Sequence, residues 1–314
     1  MHFCIPKNTL PSNPSSILLV RPASFGFNAE TASSNRFQHS MTDMDKEAVT
    51  AVARKEFDEV VSVLKSLKLD IKVAEDSPEP EKPDAVFPNN WLSFHEDGTV
   101  VFYPMMATNR RAERRWDILE NILDNKLFEM KRLLDYSKFE QKRKYLEGTG
   151  SLVFDREYDI AYACLSPRTE EELVVNLCAD MKIDPFIFEA RDSEGKEIYH
   201  TNVILTITQE YAIVCSEAIT DERQQEKLLY KLAGTGKSII EINQRQMKNF
   251  CGNCLELFGP KGESYLIMSS TAYQGFGQQQ LADIGRFSKI VTLHIPTIEY
   301  YGGGSARCMI CEIS

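Results

Sequence analysis

Cys308 stands six residues from the end of a 314-residue chain, in Gly302-Gly303-Gly304-Ser305-Ala306-Arg307-Cys308. Glycines permit backbone angles closed to other residues and let the chain approach a ligand closely, so such a loop can present a thiol to a pocket. A cysteine nucleophile needs a base to form thiolate and move protons, and near neutral pH that base is usually histidine. Five histidines are available. His2 lies in the polar start, His39 in a polar stretch and His95 in a turn, and all three read as solvated. His294, in Val-Thr-Leu-His-Ile-Pro, points out of a sheet or against a polar partner. His200 opens His200-Thr201-Asn202-Val203-Ile204-Leu205, which places His200 and Asn202 on one face at the mouth of a strand. Glu147, in Leu146-Glu147-Gly148-Thr149-Gly150-Ser151, is the best acidic partner, since its flanking glycines allow a ligand close. Each residue also has a plain reading: a small buried thiol, a hydrogen-bonded strand-end histidine, a solvated glutamate in a glycine turn. Residue type alone leaves both readings open. The Gly-x-Gly after Glu147 is too short for a dinucleotide fingerprint.

The eight cysteines include two C-x-x-C pairs, Cys251/Cys254 and Cys308/Cys311, which would suit a four-thiolate zinc site. A long interval separates them and both sit in apolar, strand-like text, so no metal site is predicted. No organic cofactor is predicted either.

The elements that must position these residues alternate between strand and helix. Ile17–Val20 reads as a buried strand, and residues 45–67 as an amphipathic helix with Val49, Val52, Val60, Leu64 and Leu67 near one face. Leu69–Ala74 reads as a strand, closed by the proline-broken residues 77–84. A hairpin follows, with Asn90–Phe94 and Thr99–Tyr103 flanking a turn at His95-Glu96-Asp97-Gly98. Helical text spans residues 110–134, 169–181 and 221–233. This pattern predicts an α/β fold in one domain, residues 16–314, preceded by a mobile tail, residues 1–15.

A net charge of -10 and a pI near 5.2 disfavour nucleic-acid or anionic-membrane partners, so a small molecule is the expected ligand. The polar, proline-containing opening lacks the apolar stretch of a signal peptide, and no run is long enough to span a bilayer. The chain is expected to be cytoplasmic with reduced thiols, and it is a possible homo-oligomer.

The ordered series Asp84-Ala85-Val86-Phe87-Pro88-Asn89-Asn90-Trp91, Glu147-Gly148-Thr149-Gly150, Leu165-Ser166-Pro167-Arg168-Thr169, the His200 strand and the late Cys308 resembles the pentein superfamily. Arginine deiminases, dimethylarginine hydrolases and amidinotransferases belong there. The resemblance implies a five-fold pseudosymmetric α/β propeller with Cys308 as nucleophile, His200 as general acid and base, and Glu147 as acidic partner. It implies further that Arg168 holds a substrate α-carboxylate, that Arg110 or Arg111 provides a second such arginine, and that Asp84 meets a substrate ammonium. Relatives acting on guanidinium compounds usually carry carboxylate where Asn90 stands, and deiminases commonly have His-x-Asp where this chain has His200-Thr201-Asn202. A guanidinium offers only donors, whereas a ureido group also carries a carbonyl acceptor, so Asn89, Asn90 and Asn202 suit a neutral urea. The chain accordingly resembles most the citrulline-utilisation hydrolases, which share FPNNW, ATNRRAERR and the GNxLEL pattern at Gly252–Leu257. That likeness implies hydrolysis of citrulline to ornithine, carbon dioxide and ammonia through an S-carbamoyl enzyme. The alternatives are a guanidine-modifying enzyme at the same site and, in another class, a non-enzymatic or zinc-stabilised binding module.

Overall fold

Five three-stranded sheets are present among the described residues, each with one antiparallel and one parallel pairing. The structure, a computed structural model, describes residues 15–40 and 45–313. The expected tail therefore lies, all but Ser15, outside the described residues, as does His2. Ser15 itself donates its backbone N–H to the Phe258 carbonyl at 2.8 Å.

Every module follows one plan: a short strand, an antiparallel central strand, a helical crossover, and a third strand parallel to the second. Module two has Leu92–Phe94, Thr99–Phe102, helix Trp116–Asp124 and Arg132–Asp135. Module three has Leu152–Asp155, Ile160–Cys164, helix Glu171–Met181 and Asp184–Phe188. Module four has Leu205–Ile207, Tyr211–Val214, helix Glu222–Gly234 and Ser238–Glu241. Module five has Leu255–Phe258, Ser264–Ser269, helices Ser270–Gly275 and Gln278–Gly285, and Lys289–Leu293. Module one is built from both ends of the chain. Cys311–Ile313 pairs antiparallel with Ser16–Arg21, which after helix Lys46–Ser66 pairs parallel with Asp70–Glu75. That exchange closes the ring and gives the α/β propeller that the resemblance implied.

Burial follows position within each module. Ile160–Cys164 and Tyr211–Val214 are buried throughout, as central strands covered on both faces must be, while the outer Arg132–Asp135 is half solvated. Helix Lys46–Ser66 starts at Asp45, whose side chain accepts from the Ala48 N–H, and buries Val49, Ala53, Phe57, Val60 and Leu64. Val52 lies to one side of that stripe and is exposed, and Leu67 is the half-buried C-cap, so the buried face is narrower than the sequence suggested.

Three local expectations are corrected. The helix expected over residues 110–134 is a tight turn (Asn109–Glu113), a short helix (Trp116–Asp124) and a strand (Arg132–Asp135). Arg114 and Arg115 are extended, Lys126 adopts a positive φ of 56°, and Leu133 and Leu134 take their place beside Val100 and Val101. Asn90 belongs to a tight turn, Pro88–Asn90, and the hairpin strand begins at Leu92. His200 likewise precedes a tight turn, Thr201–Val203, and the strand starts at Leu205.

Candidate active site

Those turns build the site. Each module's leading turn, just ahead of its first strand, brings a polar side chain to the centre: Asn89 and Asn90 from module two, Glu147 from module three, His200 and Asn202 from module four, Asn253 from module five, and Cys308 before the closing strand. Turns suit the task because they aim short polar side chains inward without consuming a sheet's ladder bonds. Glycine is required where they meet. Gly148 has φ +50°, and a Cβ there would stand 2.1 Å from the Asn89 carbonyl oxygen; at Gly150 it would stand 2.6 Å from His200 Nδ1.

His200 and Glu147 form the central pair, Nε2 to Oε2 at 2.9 Å, both buried. An ionised carboxylate only accepts, so Nε2 carries the proton and Nδ1, on the Gly150 side, is the free base. Burial opposes ionisation of Glu147, yet Arg168, the His200 hydrogen bond and Arg110 together hold its carboxyl well below the usual range. Burial, helped by Arg168 and Arg110 and opposed by Glu147, lowers His200 to about 4. The pair is therefore a carboxylate beside a neutral imidazole.

Two arginines surround that carboxylate. Arg110 binds Glu113 in a fork, 2.9 Å at each nitrogen, gives Nη1 to Asn90 Oδ1 at 3.0 Å, and lies 3.5 Å from Asp84 and 3.7 Å from Glu147. Arg168 reaches Glu147 at 3.3 Å, Ser34 at 2.6 Å and the Thr31 carbonyl at 3.1 Å, and its guanidinium lies over the Tyr199 ring. The fork that the resemblance assigns to a substrate carboxylate is thus engaged by protein groups in this structure. Arg111 turns away, to the Met105 carbonyl and Glu140.

The amides are unequal. Asn89 donates to Thr149 Oγ1 at 3.2 Å, Asn90 donates to Asn89 Oδ1 at 3.1 Å, and Asn90 Oδ1 takes the Arg110 bond. Their polar atoms satisfy one another. Asn202 donates to the Thr149 carbonyl at 3.3 Å and lies 3.7 Å from Cys308 Sγ, while its Oδ1 has no donor among the described residues. Asp84 is similar: Oδ2 accepts from Asn28 at 2.8 Å and Oδ1, also buried, has no donor. Burial raises the Asp84 pKa, with Arg110 and Asn28 opposing. Burial also pushes the Cys308 thiol up, offset in part by a backbone bond in its own turn, Asn253, Arg307 and Asn202.

All nine residues singled out from the sequence are buried in this assembly. Several partners were missed. Asn253 touches the sulfur, and its Asn-x-Leu setting before Leu255 repeats Asn90-Trp91-Leu92, a signal the sequence did offer. Glu113 was passed over within a run of arginines. Residues 28–38, which cross the site and supply Asn28, Thr31, Ser34, Asn35 and Gln38, carry no recognisable motif; Asn35 and Gln38 bond the Gly302 carbonyl. The zinc-stabilised reading is corrected, because the C-x-x-C pairs do not converge. Cys251 bonds the Ala272 carbonyl, Cys254 the Cys251 carbonyl and Cys311 the Leu92 carbonyl. Among the described residues no three His, Cys, Asp or Glu side chains are grouped to hold a metal ion. No helix among them is long and apolar enough to cross a membrane.

A five-module α/β ring with Cys308, His200, Glu147 and Asp84 buried within it defines the class, a pentein. The chain belongs to the family described as N,N dimethylarginine dimethylhydrolase, eukaryotic, whose model matches residues 21–314. Among solved structures it is similar to the substrate-bound N-terminal domain of ArgZ, an arginine dihydrolase from the ornithine-ammonia cycle in cyanobacteria. Identity is 14%, coverage 96% of this chain and 98% of that one, and the TM-score 0.73. It is similar also to AgrE in complex with L-arginine, at 17% identity and TM-score 0.73, covering 96% of this chain and 40% of that one. A dimethylarginine dimethylaminohydrolase adduct with S-methyl-L-thiocitrulline matches at 14% identity, covering 96% of this chain and 100% of that one, with TM-score 0.65. No curated protein sequence matches significantly. At these identities the structural likenesses establish the fold, and the family is one of hydrolases acting on guanidino compounds. Membership of the citrulline-utilisation group is not among these findings.

Proposed function

We propose that the protein hydrolyses the guanidino group of arginine or an N-methylated arginine by covalent catalysis at Cys308. The observation that carries this reading is the pair of buried acceptors, Asp84 Oδ1 and Asn202 Oδ1, that lack donors among the described residues. A guanidinium is planar, cationic and offers only donors. The case for a ureido substrate rested on Asn89, Asn90 and Asn202, and the amides of the first two are engaged with each other, Thr149 and Arg110. The surroundings agree, since Asp84, Glu113 and Glu147 gather about Arg110 and Arg168, a setting richer in acidic than in basic groups that favours a bound cation.

In this mechanism the cation beside Cys308 favours thiolate, opposing the effect of burial. The Cys308 thiol gives its proton to His200 Nδ1, and the sulfur attacks the guanidino carbon and forms a C–S bond. The tetrahedral adduct expels ammonia, or a methylated amine, which takes its proton from His200. A water molecule then loses a proton to His200 Nδ1 and attacks the S-amidino carbon, and the thiolate leaves, so arginine and water give citrulline and ammonia. Glu147 fixes the imidazole tautomer and steadies the transient imidazolium. Arg168 and Arg110 hold Glu147 ionised and oriented.

Hydrolysis of citrulline is the second reading. Asn202 favours it, because an amide offers donor as well as acceptor where a carboxylate would offer acceptors alone. One assay separates the two: purified protein with arginine, N-methylated arginine, agmatine or citrulline, following citrulline, ornithine and ammonia. Formation of citrulline from arginine or from an N-methylated arginine is expected. Turnover of citrulline with every guanidine untouched would overturn the main reading, and full activity in Cys308→Ser would remove the nucleophile from both.

A further inference from the structure

We propose that Asn253, from the leading turn of module five, is the residue that holds the Cys308 sulfur in its reactive state. The inference rests on the reading of Cys308 as nucleophile. Asn253 Nδ2 is 3.3 Å from Sγ and Oδ1 is 3.5 Å from it, so the amide lies edge-on against the sulfur. Its two ends serve two states. Oδ1 accepts the S–H of the thiol; once the proton has left, an Nδ2 hydrogen donates to the thiolate.

The amide cannot turn over freely. Nδ2 also donates to the Asn202 carbonyl at 2.9 Å, and a flipped amide would set Oδ1 against that oxygen. One hydrogen is fixed on Asn202 and the other is thereby aimed at sulfur. The turn beneath is equally fixed. Thr206 Oγ1 donates to the Gly252 carbonyl at 2.8 Å and accepts from the Cys254 N–H at 3.2 Å, and a Cβ on Gly252 would stand 2.3 Å from the Val203 carbonyl oxygen. Modules four and five are therefore clamped at the point where Asn253 leaves the backbone.

No neighbour among the described residues duplicates this contact. Asn202 Nδ2 is farther, at 3.7 Å, and is shared with the Thr149 carbonyl. Arg307, next in sequence to Cys308, turns to the Ile310 carbonyl and Glu312. At a cysteine only 4% exposed, with little water to solvate an anion, one well-aimed donor weighs heavily.

Titration of Cys308, followed by ultraviolet thiolate absorbance as the difference between each protein and its Cys308→Ser counterpart, tests the assignment. Asn253→Ala removes the donor and Asn253→Asp sets a carboxylate there. Both are expected to move the midpoint up by about one pH unit or more, Asp the farther, in proteins whose folded circular dichroism is retained. An unmoved midpoint in either folded variant overturns the proposal. The wild type offers a test that needs no variant at residue 253 to fold. The side-chain amide resonance of Asn253 should shift through the Cys308 titration and stay constant in Cys308→Ser, and a resonance unmoved in the wild type also overturns it. Failure of the nucleophile reading looks different, as full turnover by Cys308→Ser.

Discussion

Two histidines are buried to nearly the same degree, His200 at 2% exposure and His95 at 4%, and in both burial is the main cause of a lowered pKa, about 4 and about 3 respectively. Only one has a carboxylate partner. His95 Nε2 meets Ser93 Oγ at 2.8 Å, Ser93 in turn meets the Tyr103 hydroxyl at 2.8 Å, and the imidazole packs edge-on against Phe154 with Arg156 3.5 Å from Nδ1. Both of its nitrogens face protein. His200 instead anchors Nε2 on a carboxylate and turns Nδ1 toward a glycine. A depressed pKa is therefore no guide between them; what differs is an ionised partner on one nitrogen and room at the other.

Removing each imidazole should separate the roles most widely. His200→Ala is expected to lower kcat/KM by about a thousandfold, the usual scale for a lost acid-base group, with the fold retained. His95→Ala should leave kcat/KM near wild type and lower unfolding stability by roughly 1–3 kcal/mol, because Ser93 and Tyr103 lose a buried partner. Steady-state kinetics and denaturant unfolding of both variants decide it, and comparable activity losses would erase the distinction.

The neighbouring glycines extend the comparison at a smaller scale. Gly150→Ala would put a Cβ 2.6 Å from His200 Nδ1 and 2.7 Å from Asn90 Nδ2, so kcat should fall by about a hundredfold as the imidazole shifts. Gly98, with φ +84° in the turn beside His95, meets Lys131 and the Glu129 carbonyl instead. Gly98→Ala should cost about 1–2 kcal/mol of stability and leave kcat alone. A Gly150→Ala enzyme with wild-type kcat would show that Nδ1 does not need that space.

His95 also marks where the sequence stops being informative. Its Asp-Gly turn was legible and so was the hairpin, but nothing near residue 95 shows that Phe154 and Arg156, from another module, cover the ring. Cys308, His200, Glu147 and Asn90 could be singled out because glycine and asparagine stand where turns meet, and an ordered set of such turns is distinctive. The fifth contribution, Asn253, was visible only as part of a pattern, since its role depends on the approach of Gly252 to Val203. Beyond the Asn-x-Leu text at Asn90 and Asn253 the repeat left little trace in residue identity: what the modules share is pairing geometry, which many apolar sequences satisfy. Outer strands suffered most. Arg132, Leu133 and Leu134, in the strand Arg132–Asp135, were absorbed into an expected helix because only their partner, Thr99–Phe102, makes them a strand.

The smallest contrast is in how the two rings couple stability to pH. For His95 the folded value, about 3, lies below the ordinary 6.5, so the unfolded chain binds the proton first as pH falls. Its contribution is fully present above 6.5 and is lost as pH drops toward 3, with a slope of about 1.4 kcal/mol per pH unit for one proton. His200 acts in the same sense down to about 4. Glu113 opposes them: burial, against the pull of Arg110, raises it to about 7 from 4.5, so its contribution fades as pH climbs through that interval. Between pH 5 and 6 a folded His95→Asn protein should therefore show a stability-versus-pH slope shallower than wild type by about one proton, measured by denaturant unfolding at stepped pH. An identical slope would mean that the His95 imidazole is already charged in the native state. Nδ1 would then carry a proton 3.5 Å from the Arg156 guanidinium, which can itself only donate.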